Sequence, residues 1–441
     1  MIELRWVWSR LNANYWFYPA LFAIGAAALA SVMIWFDRSG FAQGLNQAEW
    51  FMPARPSGAS DILTVIAGSM IGVASTVFSI TIAAVAYASG TYGPRLLTNF
   101  LEDRGNQFSL ATFIGTFVYA VIVLRSVRAE GEAAAGAINA PATSLPGFVP
   151  QLSLLVGFAL MALSVAVLVY FLNHIPASIR INSVLQGIGE RLLHDVRRDF
   201  PESADGGEDE PAPEGSAIRA EATGYIQLID YDAMAEAARK ADCLIALEVR
   251  TGDFVHAGIP LGRVCGGEAD AELARQVRGA FSIGAARTPS QDPQFLIDEL
   301  VEIGLRALSP GINDPFTAIT AIHWLGAATA ELGRRDLRKS TAGEDGEARR
   351  VLPLPDGFAH YVARGFGAVR SAAATSRPAA LVMLDALRHA ALTLDDERRQ
   401  ALLRSEGARL VEQARLTLEG PDIQEVEARY VLFDRAFERP G

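Results

Sequence analysis

The chain has 441 residues, of which 50% are apolar and 20% charged, and its formal net charge is −11. Its mean hydropathy is positive, so the chain is too apolar for an ordinary soluble protein. The acidic balance offers no general basic surface for nucleic acid. Two cysteines, Cys243 and Cys265, exclude a disulfide scaffold and a cysteine zinc finger. The length predicts two to three domains.

Four long stretches without charged residues lie in the first 175 residues. A bilayer core needs roughly 20 apolar residues in a helix, whereas a helix on a soluble core keeps a polar face. The sequence therefore predicts a transmembrane domain over residues 1–175, with four membrane-spanning helices at about 15–36, 62–90, 106–124 and 151–173.

The distribution of arginine predicts the orientation of these helices. Positive residues are enriched in cytoplasmic loops. The predicted N-terminal side carries eight arginines, against four on the opposite side, which predicts that both termini are cytoplasmic. The eight are Arg5, Arg10, Arg95, Arg104, Arg180, Arg191, Arg197 and Arg198, and the four are Arg38, Arg55, Arg125 and Arg128.

The second predicted helix carries an unusual number of small and hydroxylated residues. Ser69, Gly72, Thr76 and Ser79 follow helical spacing and so share one face. Such a face serves close packing between helices, or it lines a pore or cavity in an oligomer. No predicted span carries Asp, Glu, Lys or His at its middle, which argues against a proton-coupled pump or a voltage sensor.

Two connecting segments follow the membrane domain. Residues 176–200 have the apolar periodicity of an amphipathic helix, which would lie on the headgroups, contact a neighbouring subunit or pack within its own fold. Residues 201–217 contain six acidic residues, three prolines and three glycines. That composition cannot bury a core, so it predicts a flexible linker.

Residues 218–266 show the alternation and turn residues of a small β-rich module. The spacing of Gly252, Val255, Gly258 and Leu261 resembles the half-barrel of biotinyl and lipoyl carrier domains. Lys240 lies in a predicted helix and not at a hairpin tip. We therefore predict a structural module without a prosthetic group, and no cofactor is expected.

Residues 267–441 are predicted to form a helical bundle. The pairs Asp292-Pro293 and Asp314-Pro315 predict two helix starts, because Asp suits the N-cap position and Pro the first turn. The polar residues of this region predict either caps with a buried salt-bridge network or a ligand pocket or subunit interface. That candidate set is Arg287, Asp292, Glu299, Arg306, Asn313 and Asp314.

The run RTPSQDPQFLIDELVEIGLRALSPGINDPFTA at residues 287–318, the segment TGYIQLID at 223–230 and the four N-terminal helices together give the chain a recognisable pattern. It closely resembles a bacterial family of predicted membrane proteins, domain of unknown function 2254, over essentially the whole chain. The resemblance implies a location in the bacterial inner (plasma) membrane. It implies no activity and no catalytic residues.

The expected fold class is a four-helix membrane domain joined to an α+β soluble region. The sequence contains no P-loop, no HExxH and no GxSxG motif, so an enzyme is the weakest hypothesis and no metal site is predicted. We favour an oligomeric channel or transport protein, with the bilayer and further copies of the chain as partners and an unspecified ion or small molecule as ligand. The alternative is a non-conducting scaffold or sensor whose cytosolic part binds a partner or ligand.

Overall fold

The computed structural model describes residues 15–39, 54–93, 103–129, 147–202, 213–267, 269–289, 291–338 and 350–438. These residues divide into two compact units, 1–180 and 181–441. Most of the acidic stretch 201–217 falls outside the described residues.

The first unit contains four helices that are long and apolar enough to cross a membrane. They are α1 (Phe17–Arg38), α2 (Pro56–Tyr92), α3 (Arg104–Ser126) and α4 (Gln151–Ser178). Each of the four predicted spans overlaps one of these helices. Helix α3 packs against the other three, and its Phe113 and Tyr119 are fully buried in their shared core.

Several polar groups in this unit are bonded to each other. The Thr116 and Ser164 hydroxyls of α3 and α4 lie 3.0 Å apart. Asp37, at the end of α1, accepts hydrogen bonds from the backbone N–H groups of Leu152 and Ser153, both at 2.9 Å. The first N–H groups of a helix have no acceptor within the helix itself. Asp37 therefore caps α4 from a different helix.

The second unit begins with α5 (Ile181–Asp199), which covers the predicted amphipathic segment. Its apolar face is buried against α8 (Pro293–Ala307) and α9 (Pro315–Gly333). A Cβ at Gly189 would overlap the ring of Trp324, so the helices approach closely there. Packing within its own fold is one of the three placements that the sequence leaves open. The buried residues of that face are Leu185, Ile188, Leu192 and Val196.

A cluster of ion pairs around Glu331 connects the end of α5 with the end of α9. Arg335 donates to one Glu331 oxygen at 2.6 Å, and Arg197 donates to the other at 3.0 Å. Arg335 also donates to the backbone carbonyl of Phe200 at 2.6 Å. Burial would raise the pKa of Glu331, but the hydrogen bonds from the two arginines outweigh it and lower the pKa. The carboxylate therefore stays charged in a buried position.

The β-rich part forms two sheets. Strands β1 (Ser216–Arg219), β5 (Pro260–Cys265), β3 (Leu244–Leu247) and β7 (Val351–Leu352) form one, in that order, and only the β3–β7 pair is parallel. Strands β4 (Phe254–Val255), β2 (Gly224–Ile229) and β6 (Phe281–Gly284) form the other, all antiparallel. Helices α6 (Tyr231–Lys240) and α7 (Ala271–Gly279) pack against the sheets.

Strands β6 and β7 lie in the region for which the sequence predicts only helices, so that expectation is wrong at these two places. They have four and two residues, too few for alternation to be recognised. The predicted linker also ends early, because Ser216 and Ala217 already belong to β1.

The remaining helices complete the helical part. They are α10 (Phe358–Val362), a π-helical segment (Ala363–Gly367), α11 (Ala368–Ala373), α12 (Arg377–Ala391), α13 (Glu397–Ala414) and α14 (Gly420–Arg435). Asp292 and Asp314 accept hydrogen bonds from Phe295 N and Thr317 N, both at 3.2 Å. The two Asp-Pro pairs thus cap α8 and α9 as the sequence predicts.

We expect Asp37→Ala to lower the stability of the membrane unit by about 1–2 kcal/mol, because two N–H groups and the Ser153 hydroxyl lose their acceptor. Thermal unfolding of the detergent-solubilised protein measures the loss. Asp61→Ala is the matched control, since Asp61 is exposed on α2. Equal melting temperatures for the two variants would contradict the cap.

Candidate functional site

Two regions carry the residues that the sequence singles out. The first is the small and hydroxylated face of α2, defined as Ser69, Gly72, Thr76 and Ser79. All four residues are exposed in the structure, and a Cβ at Gly72 would meet nothing within 4 Å. The buried side of α2, which includes Leu63, packs into the four-helix core. Within the described part of the chain, this face points away from its own bundle.

The hydroxyls of this face are bonded to the helix that carries them. Thr76 Oγ1 donates to the carbonyl of Gly72 at 3.0 Å, and Ser79 Oγ donates to that of Ser75 at 2.9 Å. A hydroxyl that donates in this way keeps lone pairs that accept further hydrogen bonds. The outer surface of α2 therefore presents small side chains and acceptor oxygens.

The second region is an ion-pair cluster between the β-rich and helical parts, which we call the arginine–aspartate cluster. Arg287 donates to Asp292 at 2.6 Å and to Asp298 at 2.5 Å. Arg364 makes a bidentate contact with the same Asp298 at 2.7 and 2.6 Å. Arg250 pairs with Asp356 beside it. Each of the three arginines therefore has a carboxylate partner.

Local backbone geometry brings these charges together. Gly252 adopts a φ of +91°, and a Cβ there would overlap the Asp292 carboxylate. Gln291 has a φ of +55°. Its side-chain amide accepts a hydrogen bond from the backbone N–H of Ile229 at 3.1 Å and donates one to the carbonyl of Ile229 at 3.3 Å. Arg364 lies in the π-helical segment. Unusual backbone of this kind is frequent at functional sites.

The charged groups of the cluster are strongly affected by burial. Burial raises the pKa of Asp292, although Arg287 opposes the rise. Burial would raise the pKa of Asp298 too, but hydrogen bonds from Arg364 and Arg287 lower it overall. Asp298 is thus the carboxylate that holds two guanidinium groups together.

Two further side chains border the cluster. His360 Nε2 lies 3.4 Å from Arg250 Nη1, and burial together with Arg250 and Arg364 lowers its pKa. The hydroxyl of Tyr361 is buried and has no hydrogen-bond partner within the described residues. A buried polar atom without a partner costs free energy, so Tyr361 is the least expected member of this region.

The six polar residues selected from the sequence do not form one pocket. Arg287 and Asp292 belong to the cluster. Glu299 faces α5, where its Oε2 lies 3.8 Å from Arg191, and Arg306 pairs with Glu302 at 3.5 Å. Asn313, with a φ of +49°, and the cap Asp314 belong to the α8–α9 turn. These residues therefore lie in several separate groups.

Sequence reasoning missed Arg250, Asp298, Asp356 and Arg364. Asp298 and Glu299 are neighbours on α8, about 100° apart around the helix, so they face different partners. A charged residue inside the apolar run FLIDEL was the available signal for Asp298. Among the described residues, no three His, Cys, Asp or Glu side chains are arranged to hold a metal ion.

Four helices of membrane-spanning length, followed by a unit of short sheets and packed helices, define a multi-pass membrane protein with an α+β part outside the spanning helices. The family described as "Predicted membrane protein (DUF2254)" matches residues 12–389. The chain belongs to this family, which is the family that the sequence resemblance indicates.

The relatives are proteins described as uncharacterized. One from Mycobacterium tuberculosis and one from Mycobacterium bovis are each 33% identical to the chain over 329 residues, which covers 71% of this chain and 60% of the relative. The chain therefore matches less than two thirds of the length of these relatives. No solved structure matches the chain.

We expect the protein to lose stability as the pH falls below about 6.5, because the pKa of His360 is lower in the folded state than its ordinary value of 6.5. The unfolded chain takes up the proton first, so this contribution is fully present above pH 6.5 and is lost as the pH passes through the folded pKa. His360→Asn removes this part of the slope, as measured by unfolding at a series of pH values. His323→Asn, at an exposed position, serves as control and keeps the wild-type slope. Identical slopes for all three proteins would contradict the role of His360.

Proposed function

We propose that the chain is an oligomeric channel or transport protein of the bacterial inner membrane, in which the α2 helices of neighbouring copies meet through the face Ser69, Gly72, Thr76 and Ser79. The observation that carries the proposal is the exposure of all four residues. The arginine distribution supports a cytoplasmic location for both termini. The proposal assigns no catalytic role.

The physical support comes from what surrounds an exposed helix face in a membrane. A small-residue face gives lipid chains no special packing advantage. Another helix, however, can approach such a face closely and make many van der Waals contacts. Acceptor oxygens such as those of Thr76 and Ser79 also line a water-filled path without the cost of a buried charge. A meeting of several α2 helices uses both properties.

The β-rich part enters the proposal as a structural module. Its short strands and turns are compatible with the half-barrel likeness seen in the sequence, and Lys240 is the last residue of α6. We propose that it supports assembly and carries no prosthetic group.

We expect Thr76→Trp to abolish conductance and to shift the oligomer to smaller species, because a large ring on the small face blocks both close approach and any path between helices. The measurements are planar-bilayer recording and the mass of the solubilised particle. Ile71→Trp is the matched control, since Ile71 is also exposed on α2 but lies on another side of the helix. A wild-type protein that forms the oligomer but conducts no current would contradict the channel and would leave the scaffold as the remaining candidate. A wild-type monomer would contradict the oligomeric channel and would leave the scaffold or sensor as the remaining candidate.

The alternative, a non-conducting scaffold or sensor, is favoured by one observation, the buried hydroxyl of Tyr361 beside the arginine–aspartate cluster. A small ligand with a hydrogen-bonding group would satisfy it. We expect a co-purified small molecule, detected by native mass spectrometry, to be lost in Tyr361→Phe with unchanged melting temperature. Tyr430→Phe on α14, which is only half-buried, retains it. Equal occupancy in both variants, or none in the wild type, contradicts this candidate.

A further inference from the structure

Helix directions in the second unit define two ends. The start of α5 is level with the start of α9, because Gly189 faces Trp324 and Arg197 bonds Glu331 at 3.0 Å, so the two helices run parallel. Eight residues separate Gly189 from Ile181, and eight separate Trp324 from Phe316, about 12 Å along each helix. Phe316 therefore lies at the end of the unit where α5 begins.

The same reasoning places Leu416 at that end. Helix α12 runs parallel to α9, since a Cβ at Gly326 would contact Ala386 and one at Gly333 would overlap Leu394. Ala374, just before α12, accepts a hydrogen bond from Thr417 at 2.7 Å. The end of α13 is therefore level with the starts of α12 and α9.

This end of the unit, which we call the α5-start end, exposes large apolar side chains. Leu416 is 85% exposed and Phe316 76%, the two highest values for large apolar residues in the described part of this unit. Ile312 and Leu305, on the adjoining α8–α9 turn and the end of α8, are also exposed. Side chains of this size left in water forgo the free energy of burial, so contact with an apolar surface at this end would stabilise them.

The connection of the chain identifies that surface. Ile179 and Arg180 alone separate the end of α4 from the start of α5, so the start of α5 lies within about 11 Å of the end of α4 along the chain. Helix α4 has 28 residues, a length of about 42 Å, comparable to a bilayer of roughly 40–45 Å with its headgroups. The start of α5 is consequently held at the headgroup surface.

We propose that the α5-start end rests on the lipid surface, with Phe316 and Leu416 inserted among the headgroups. Two arginines at this end already have carboxylate partners, Arg377 with Glu425 at 3.1 Å and Arg415 with Glu427 at 2.8 Å. Attraction to anionic lipid is therefore secondary, and insertion of apolar side chains supplies the contact. Unlike the proposed channel, this contact requires no oligomer.

The test uses the full chain in nanodiscs, labelled with a bimane probe at Phe316→Cys or Leu416→Cys. Native Cys243 and Cys265 are buried, and the unsubstituted protein measures their background labelling. Leu392→Cys is the matched control, because Leu392 is 60% exposed but follows α12 at the opposite end of the unit. Lipids that carry a spin label near the headgroup quench probes that they touch.

We expect the probes at 316 and 416 to lose emission in spin-labelled phosphatidylcholine, while the probe at 392 keeps it, and added phosphatidylglycerol to change this little. Two labelled positions guard against a local effect of either substitution. Emission at 316 and 416 that is as insensitive to the spin label as at 392 overturns the proposal. A blue-shifted but unquenched probe also overturns it, because a second protein surface then covers this end.

Discussion

A polar group withdrawn from water must find its partner inside the protein, and this constraint shapes both units. Lipid offers no hydrogen bonds, so the Thr116 and Ser164 hydroxyls bond each other and Asp37 caps a helix other than its own. In the second unit, Asp298 pairs with Arg287 and Arg364. Glu331 likewise pairs with Arg197 and Arg335. Buried charges of this kind are tolerated because they are paired.

Among the polar groups that depart from this rule, two bear on the proposed functions. The hydroxyl of Tyr361 is buried without a partner in the described structure, and the acceptor oxygens of Thr76 and Ser79 face outward from a spanning helix. A ligand or a water molecule would satisfy the Tyr361 hydroxyl. Another helix or an aqueous path would provide partners for the oxygens of Thr76 and Ser79. They are separate questions, because nothing in the fold requires the same answer to both.

The sequence predicts the spanning helices well because a charge-free run of this length has one stable solution in lipid. It predicts the two Asp-Pro caps for an equally local reason. The arginine–aspartate cluster is predicted only in part, since Arg287 and Asp292 are five residues apart, whereas Arg250, Asp298 and Arg364 come from three distant segments. Their meeting depends on packing that periodicity does not encode. Strand β7 is missed for the same reason, because its two residues gain their identity only by pairing with β3.

Helix α8 connects the features of the second unit. Its first turn and Asp298 belong to the arginine–aspartate cluster, and its end, at Leu305, belongs to the α5-start end. Thirteen residues separate Asp292 from Leu305, about 20 Å of helix. A ligand at the cluster would therefore lie about 20 Å along α8 from the proposed lipid contact, and α8, which packs on α5, is one element that joins the two regions. That packing contains the buried Glu299, which faces Arg191 of α5 across 3.8 Å, so a shift of α8 would change the environment of a buried charge.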